Sequence, residues 1–251
     1  MKLGTASWDE GDAGRTALVA ELPSDPGRVV DLNRMEQLRL AKVGEGWSER
    51  LAGARVPPDL QGLLEGGPRA ILRARRALAY AEKWYRRGSL PEALAPSARA
   101  VRMLPCLPRP MALRRWDGTV LDVQSVQGPG GTLGSLPVPT LALVGLHGER
   151  PAGCCLALEH AHGVVLGAWL ELDLDWEGVL ELHLDGQCRR LPLDAWRGLV
   201  PSRLRPGEVM LAPPPRLRLG PGTGAVEVRL TAAFETLTLH LADAGVQPVM
   251  Q

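Results

Sequence analysis

The sequence predicts an α+β protein that is mainly β, with a small helical part near its N-terminus. Glycine and proline, at 29 and 22 of 251 residues, are spread through apolar segments, as in chains of many short strands joined by tight turns. Apolar residues on helical spacing occur only before the proline-rich segment 104–110, and alternation with a period of two is frequent after it.

The part before residue 104 combines strands and helices. Turn-forming Gly, Asp and Pro residues separate its apolar stretches, and paired prolines and glycines mark its helix ends. Gly88 is placed to be the C′ residue of the longest helix, whose apolar side is predicted to consist of Ile71, Leu72, Leu78, Ala79 and Trp84. The predicted elements are strands at 2–6, 16–20 and 28–32, and helices at 31–42, 57–64 and 68–87.

The segment Leu104–Pro110, with sequence LPCLPRP, predicts an extended connector. It divides the chain into a small N-terminal α+β region at 1–104 and a β domain at 105–251. Leucines at every second position followed by Asp185-Gly186 predict a hairpin with one buried face and one wet face. The main strands of the second part are predicted at 141–144, 163–174, 178–184 and 225–241.

Composition excludes several classes of partner. The formal net charge of +1 gives no electrostatic reason to expect nucleic acid or an anionic membrane. We find no signal peptide and no apolar run near the roughly 20 residues that cross a bilayer, so we expect a cytoplasmic protein. Its four cysteines, Cys106, Cys154, Cys155 and Cys188, are then expected to be reduced. The alternative is a reactive thiol at Cys154 or Cys155.

Five segments, in order, resemble the fumarylacetoacetate hydrolase family and together span nearly the whole chain. They are VVDLNRMEQLRLA with VPPDLQGLLEGG, then LPRPMALRRWDGTVLDVQSV at 107–126, VLGAWLELDLDWEGVLELHLDGQ, LRPGEV at 204–209, and GAVEVRLTAAFETLTLHL. The resemblance implies a shortened version of the family's β-roll, and a homodimer formed through that domain.

The resemblance also implies where catalytic groups are missing. Family members bind Mg²⁺ or Ca²⁺ through a Glu-x-Glu pair and a later Asp, and hard cations need such oxygen ligands. The two glutamate positions fall near Val138 and Thr140, and Asp122 lies near the position of the family's catalytic histidine. The resemblance also implies that the chain passes almost directly from Val144 to the strand at 163–174, which skips the stretch that carries the family's Asp and Lys. We therefore expect no metal and no other cofactor.

Polar residues elsewhere offer candidate sites. Asp122, His160 and His162 are candidate catalytic groups. For ligand binding, Arg114 and Arg115 suit a carboxylate, Trp116 offers a stacking surface, and Glu159 offers a charge. A zinc-like site at His160 and His162 is an alternative, with Cys154, Cys155 or Glu149 as further ligands. His183 and His240 alternate with leucines and are expected to face solvent.

Two functions of different classes remain. The first is a pseudoenzyme that binds a small or peptidic ligand, serving a partner biosynthetic enzyme as a truncated hydrolase-like protein of peptide natural product biosynthesis. The second is a metal-independent enzyme, a hydrolase, isomerase or cyclase, that uses Asp122 or the cluster of Glu159, His160 and His162. The second requires those titratable groups to converge in space.

Overall fold

The computed structural model describes residues 1–10, 13–129, 132–133, 138–147, 151–173, 175–184, 187–197, 203–213, 227–232 and 235–241. These residues form five α-helices and 17 strands. The helices are α1 Leu32–Lys42, α2 Ser48–Arg55, α3 Leu60–Glu65, α4 Gly67–Tyr85 and α5 Asp194–Arg197. The strands are β1 Lys2–Glu10, β2 Ala13–Leu22, β3 Asp25–Asp31, β4 Arg102–Met103, β5 Ala112–Arg115, β6 Val120–Leu121, β7 Val126–Gln127, β8 Thr132–Leu133, β9 Val138–Gly145, β10 Pro151–His160, β11 Gly163–Leu166, β12 Trp169–Glu171, β13 Val179–Leu184, β14 Gln187–Pro192, β15 Glu208–Leu211, β16 Glu227–Ala232 and β17 Glu235–Leu241.

A large sheet of twelve strands runs through the molecule. Its main path is β3-β2-β1-β12-β10-β9-β15-β5-β6, with β4 added at β1, and with β11 joining β10 to β7. Because β1 pairs with β12, the sheet crosses the boundary predicted after residue 104. The division into regions 1–104 and 105–251 therefore stays a prediction, and the two parts share one sheet.

A second sheet of five strands has the order β14-β13-β16-β17-β8. Its β13–β14 hairpin pairs Leu184 with Gln187, and the turn predicted at Asp185-Gly186 lies outside the described residues. The α+β, mainly β class predicted from the sequence is confirmed.

The large sheet is covered on both faces. In β9, Ala142 and Val144 pack into a core shared with the helices. Their neighbours Leu141 and Leu143 pack into a second core with strands of the five-stranded sheet. Strands buried on both faces lack polar positions, so their sequences read as continuous apolar runs.

Side-chain caps fix where the helices begin. The Asp31 carboxylate accepts a hydrogen bond from the Arg34 N–H at 3.0 Å and so opens α1. Asp59 does the same for α3, accepting from the Gly62 N–H at 2.7 Å. Gly88 has φ of 64°, which confirms it as the glycine that follows α4. None of the helices in the described ranges is long and apolar enough to cross a membrane.

The structure differs from the sequence predictions in three respects. The segment after Val144 does not lead directly into the strand at 163, because β10 occupies 151–160 and pairs along β9. Helix α2 was not predicted. The buried face of α4 consists mainly of alanines with Leu78, and Leu72 is 49% exposed. Small alanines let this helix lie close to α1, so its larger apolar residues lie toward the edge.

Glu235 connects the two sheets. Its Oε1 accepts hydrogen bonds from the backbone N–H groups of Ala168 at 2.5 Å and Trp169 at 3.3 Å, between β11 and β12. Its Oε2 is buried without a hydrogen-bond partner. Burial raises the pKa of this carboxyl to about 7, although the backbone donors act to lower it.

We expect the free energy of unfolding to depend less on pH in the Glu235→Gln variant than in the wild type. A carboxyl whose pKa is higher in the folded than in the unfolded state contributes its full stabilisation of the fold below the unfolded pKa, here near 4.5. That stability is lost as the pH rises through about 7, by up to about 3 kcal/mol. The free energy of unfolding measured by urea titration between these pH values should fall for the wild type and stay flatter for the variant. Glu177→Gln, at an exposed glutamate, is the matched control, and parallel pH profiles for Glu235→Gln and wild type would contradict the assignment.

Candidate functional site

The two positions that the family resemblance assigns to metal-binding glutamates lie on β9. Thr140 is only 1% exposed, and its hydroxyl donates a hydrogen bond to the Ala212 carbonyl oxygen at 2.6 Å. Val138 carries an aliphatic side chain. Neither position offers an oxygen that is free to bind a cation.

Glu159 on β10 lies directly across the ladder from Val138. Its Oε1 accepts a hydrogen bond from Arg115 Nε at 2.7 Å and a second one from the same guanidinium. This hydrogen bond raises the pKa of the Arg115 guanidinium. Magnesium prefers an octahedral set of oxygen ligands. A single carboxylate, opposite Val138 and near a Thr140 hydroxyl that is already bonded to Ala212, does not supply that set, so no chemical step is derived through a metal here.

His160 and His162 lie at the end of β10 and in the turn that follows. The His162 backbone N–H donates to His160 Nδ1 at 3.3 Å, and the two rings are 6.4 Å apart. His160 Nε2 is buried without a hydrogen-bond partner. Burial, and next the charge of His162, lower the pKa of His160 against the opposing effect of Glu159. Because Nδ1 is the acceptor of the His162 N–H, the neutral form of this ring carries its proton on Nε2.

Asp122 and Trp116 stand in exposed turns near this strand end. The Asp122 carboxylate accepts a hydrogen bond from the Gln124 N–H at 2.9 Å and so caps a short 3-10 turn. The chain just after it runs beside β11, with Val126 opposite Val164. Trp116 is 55% exposed. The structure therefore brings segments 122–127 and 160–165 together, while the Asp122 carboxylate bonds within its own turn.

The thiols predicted as alternatives are not activated. Cys154 and Cys155 are buried. Desolvation raises the pKa of Cys154, and a hydrogen bond to Cys106 together with burial raises that of Cys155. Glu149, the remaining alternative zinc ligand, lies outside the described residues.

A cavity of about 900 Å³, which the sequence does not predict, lies at the other end of β9. Ionisable side chains from α3, from β5, from the segment after β9 and from the turn at the start of β15 line it. The ionisable residues on its wall are Glu65, Arg114, His147, Arg203, Arg205 and Glu208. Of the ligand-binding residues predicted from sequence, Arg114 lines this cavity.

One wall of the cavity is the turn formed by the motif LRPGEV. Gly207 adopts φ of 72°, a left-handed conformation that favours glycine. Its N–H donates to the Gly145 carbonyl at 3.1 Å. A Cβ atom on Gly145 would lie 2.0 Å from the Arg205 carbonyl oxygen. The close approach of these two backbones holds the turn against the end of β9.

Glu208 organises the charges of this wall. One carboxylate oxygen lies 2.8 Å from Arg114 Nε, and the other accepts a hydrogen bond from the Arg205 backbone N–H at 3.0 Å. The Arg114 Nε–H, although close, has no well-aligned acceptor. Glu65 is bound by Gln61 Nε2 at 2.8 Å. The wall carries three guanidinium groups and two carboxylates, and both carboxylates already have hydrogen-bond or ion-pair partners within the wall. This excess of positive charge makes the cavity suitable for an anion.

Comparison with known proteins finds the fold among solved structures. No protein-family model and no curated protein matches the sequence. The structure resembles 5-carboxymethyl-2-hydroxymuconate delta-isomerase from Mycobacterium smegmatis with a TM-score of 0.54 and 16% identity, over 96% of this chain and 99% of that one. It resembles 2-hydroxyhepta-2,4-diene-1,7-dioate isomerase from Mycobacterium marinum with a TM-score of 0.54 and 15% identity, over 98% and 100%.

A third solved structure is 2-keto-3-deoxy-D-arabinonate dehydratase complexed with magnesium and 2,5-dioxopentanoate, with a TM-score of 0.50 and 11% identity, over 96% and 98% of the chains. At these identities the likenesses show the fold, which agrees with the resemblance drawn from the sequence. Because nearly all of each neighbour is covered, the predicted shortening of the chain stays unconfirmed.

We expect Mg²⁺ or Ca²⁺ to leave the melting temperature unchanged. A ligand that binds only the native state must raise its stability, and the β9 positions offer no ligand set for these ions. Differential scanning calorimetry with millimolar MgCl₂, compared with NaCl of equal ionic strength, checks this. A rise that occurs with Mg²⁺ and disappears in Glu159→Gln would contradict the interpretation of this strand.

Proposed function

We propose that this chain is a binding protein for a small or peptidic ligand that carries a carboxylate group. The observation that carries the proposal is the cavity of about 900 Å³ with Arg114, Arg203 and Arg205 on its wall. Arginine presents paired N–H donors that match a carboxylate, and its charge persists at any physiological pH.

The fold neighbours support a ligand of this kind. Their names describe isomerases and a dehydratase, and the dehydratase structure contains 2,5-dioxopentanoate, a carboxylate. The same dehydratase structure contains magnesium, whereas Val138 and Thr140 give this chain no comparable oxygen ligands. We infer that the fold has kept a cavity for an acidic ligand without the metal chemistry.

The groups on the cavity wall favour binding over catalysis. Arginine does not exchange protons near neutral pH. The carboxylates of Glu65 and Glu208 are held by Gln61 and by Arg114. His147, on the same wall, is left as the candidate for proton transfer, and general acid–base catalysis needs a positioned acid and base.

The proposed biological role starts from a ligand of this kind and from the family resemblance. A peptide presents a carboxylate at its C-terminus or on an acidic side chain, and an arginine-walled cavity suits either. We therefore keep the proposal of an accessory, non-catalytic protein of peptide natural product biosynthesis that acts as a homodimer in the cytoplasm with a partner enzyme. The proposed partner enzyme is tested separately, by co-purifying this protein with enzymes encoded by neighbouring genes.

The second candidate function is a metal-independent enzyme centred on His160. The specific observation in its favour is the buried, unpartnered Nε2 of a neutral imidazole, beside the ion pair of Arg115 and Glu159. Because Nδ1 accepts the His162 N–H, the neutral ring would carry its proton on Nε2 and could donate a hydrogen bond to a substrate carbonyl. Turnover of a 2-keto acid that is lost in His160→Gln and kept in His162→Gln would favour this enzyme over the binding protein.

We expect Arg205→Gln to weaken carboxylate binding by about tenfold or more, because a hydrogen bond to a charged group contributes about 1.5–3 kcal/mol. Isothermal titration calorimetry with 2,5-dioxopentanoate and succinate measures this. The uncharged probe succinamide should bind poorly. Arg76→Gln, at an exposed arginine of α4, is the matched control. Equal loss in both variants, or equal affinity for succinate and succinamide, would contradict the proposal.

A further inference from the structure

Three side chains of metal-ligating types meet on the β13–β14 hairpin, on elements that do not line the cavity. Glu181 and His183 are two residues apart on β13, so their side chains leave the same face of the sheet. Cys188 is the direct cross-strand partner of His183 on β14. One carboxylate, one imidazole and one thiol are thus held by the register of a single hairpin.

The distances between these ligand atoms match those around a tetrahedral zinc ion. His183 Nε2 lies 3.8 Å from Cys188 Sγ and 3.4 Å from Glu181 Oε2, and the three ligand atoms lie within 4.8 Å of one another. Zinc bond lengths at tetrahedral angles give about 3.6 Å between sulfur and nitrogen and about 3.4 Å between nitrogen and oxygen. The side chains need little movement to enclose an ion.

The geometry does not fit a nucleophilic cysteine with a histidine base. In such a triad the acid contacts one ring nitrogen and the nucleophile contacts the other. Here the thiol and the carboxylate both approach Nε2 of His183. Convergence on one nitrogen is the arrangement of ligands that share a central cation.

A fourth side chain positions the carboxylate. Arg190 is the cross-strand partner of Glu181, and its Nε donates to Glu181 Oε1 at 2.8 Å. This leaves Oε2 directed toward His183. Partners that hold the non-coordinating atom of a ligand are characteristic of metal sites, since they fix ligand orientation.

We propose that Glu181, His183 and Cys188 form a zinc-binding site whose fourth position is open to water or an external ligand. Zinc is favoured because a thiolate, an imidazole and a carboxylate all suit it, and three protein ligands with one open position is its usual catalytic arrangement. The site is accessible from solvent: Cys188 is exposed, in contrast to the other three cysteines, and the His183 side chain is 40% exposed.

The test uses Co²⁺ as a spectroscopic substitute for Zn²⁺ with the full-length protein kept reduced. Titration should produce thiolate-to-cobalt absorption and the intense visible bands of four-coordinate Co²⁺, with a stoichiometry of one, and Zn²⁺ should displace the signal. Cys188→Ala and His183→Ala should each abolish it. Since the remaining cysteines are buried, thiolate absorption from elsewhere is not expected. Glu177→Gln, at an exposed glutamate outside the hairpin, is the control and should bind as the wild type does.

A second measurement keeps the proposal falsifiable if a variant folds poorly. Cys188 of the wild type should react rapidly with a thiol reagent, and stoichiometric Zn²⁺ should slow that reaction, whereas Mg²⁺ should not. The proposal is overturned if Zn²⁺ leaves the reaction rate unchanged, or if a folded Cys188→Ala variant keeps the cobalt spectrum.

Discussion

The structure depends on one strand being buried on both faces. β9 sends alternate side chains into the core beneath the helices and into the core between the two sheets. Every position along its centre must therefore be apolar or fully hydrogen-bonded, since an unpaired buried polar group costs about 1–3 kcal/mol. Thr140 meets this condition through the Ala212 carbonyl. A carboxylate at that position would be either a buried charge or a protonated acid, and both are costly.

The same constraint places the ionised groups at the ends of β9. Arg114 and Arg115 are neighbours on β5, and their side chains leave opposite faces of the sheet. Arg115 holds Glu159 beside Val138, whereas Arg114 approaches Glu208 at the cavity. The ion pair of Arg115 and Glu159 occupies the position where the family resemblance implies a metal. The ion pair of Arg114 and Glu208 is part of the positively charged cavity wall.

Much of the fold could be predicted because its signals are local. Asp31 and Asp59 mark helix starts, and alternating leucines mark β13. β10 was missed because residues 152–158, AGCCLAL, have no polar alternation, as expected for a strand buried on both faces. The cavity was missed because it joins residues 65, 114, 147 and 203–208, and only the tertiary fold brings them together. The pairing of His183 with Cys188 could have been predicted, since a two-residue hairpin turn expected at Asp185-Gly186 would place residues 183 and 188 opposite each other.

The central claim is that the fold persists while the strand position expected to bind a metal has become part of the core. The most direct measurement is an anomalous difference map from crystals soaked in MnCl₂, because Mn²⁺ takes the oxygen ligands of Mg²⁺ and scatters anomalously. The account predicts no peak within coordination distance of Val138, Thr140 and Glu159, with Arg115 still bound to Glu159. A peak there, with Glu159 turned away from Arg115 to coordinate it, would contradict the account.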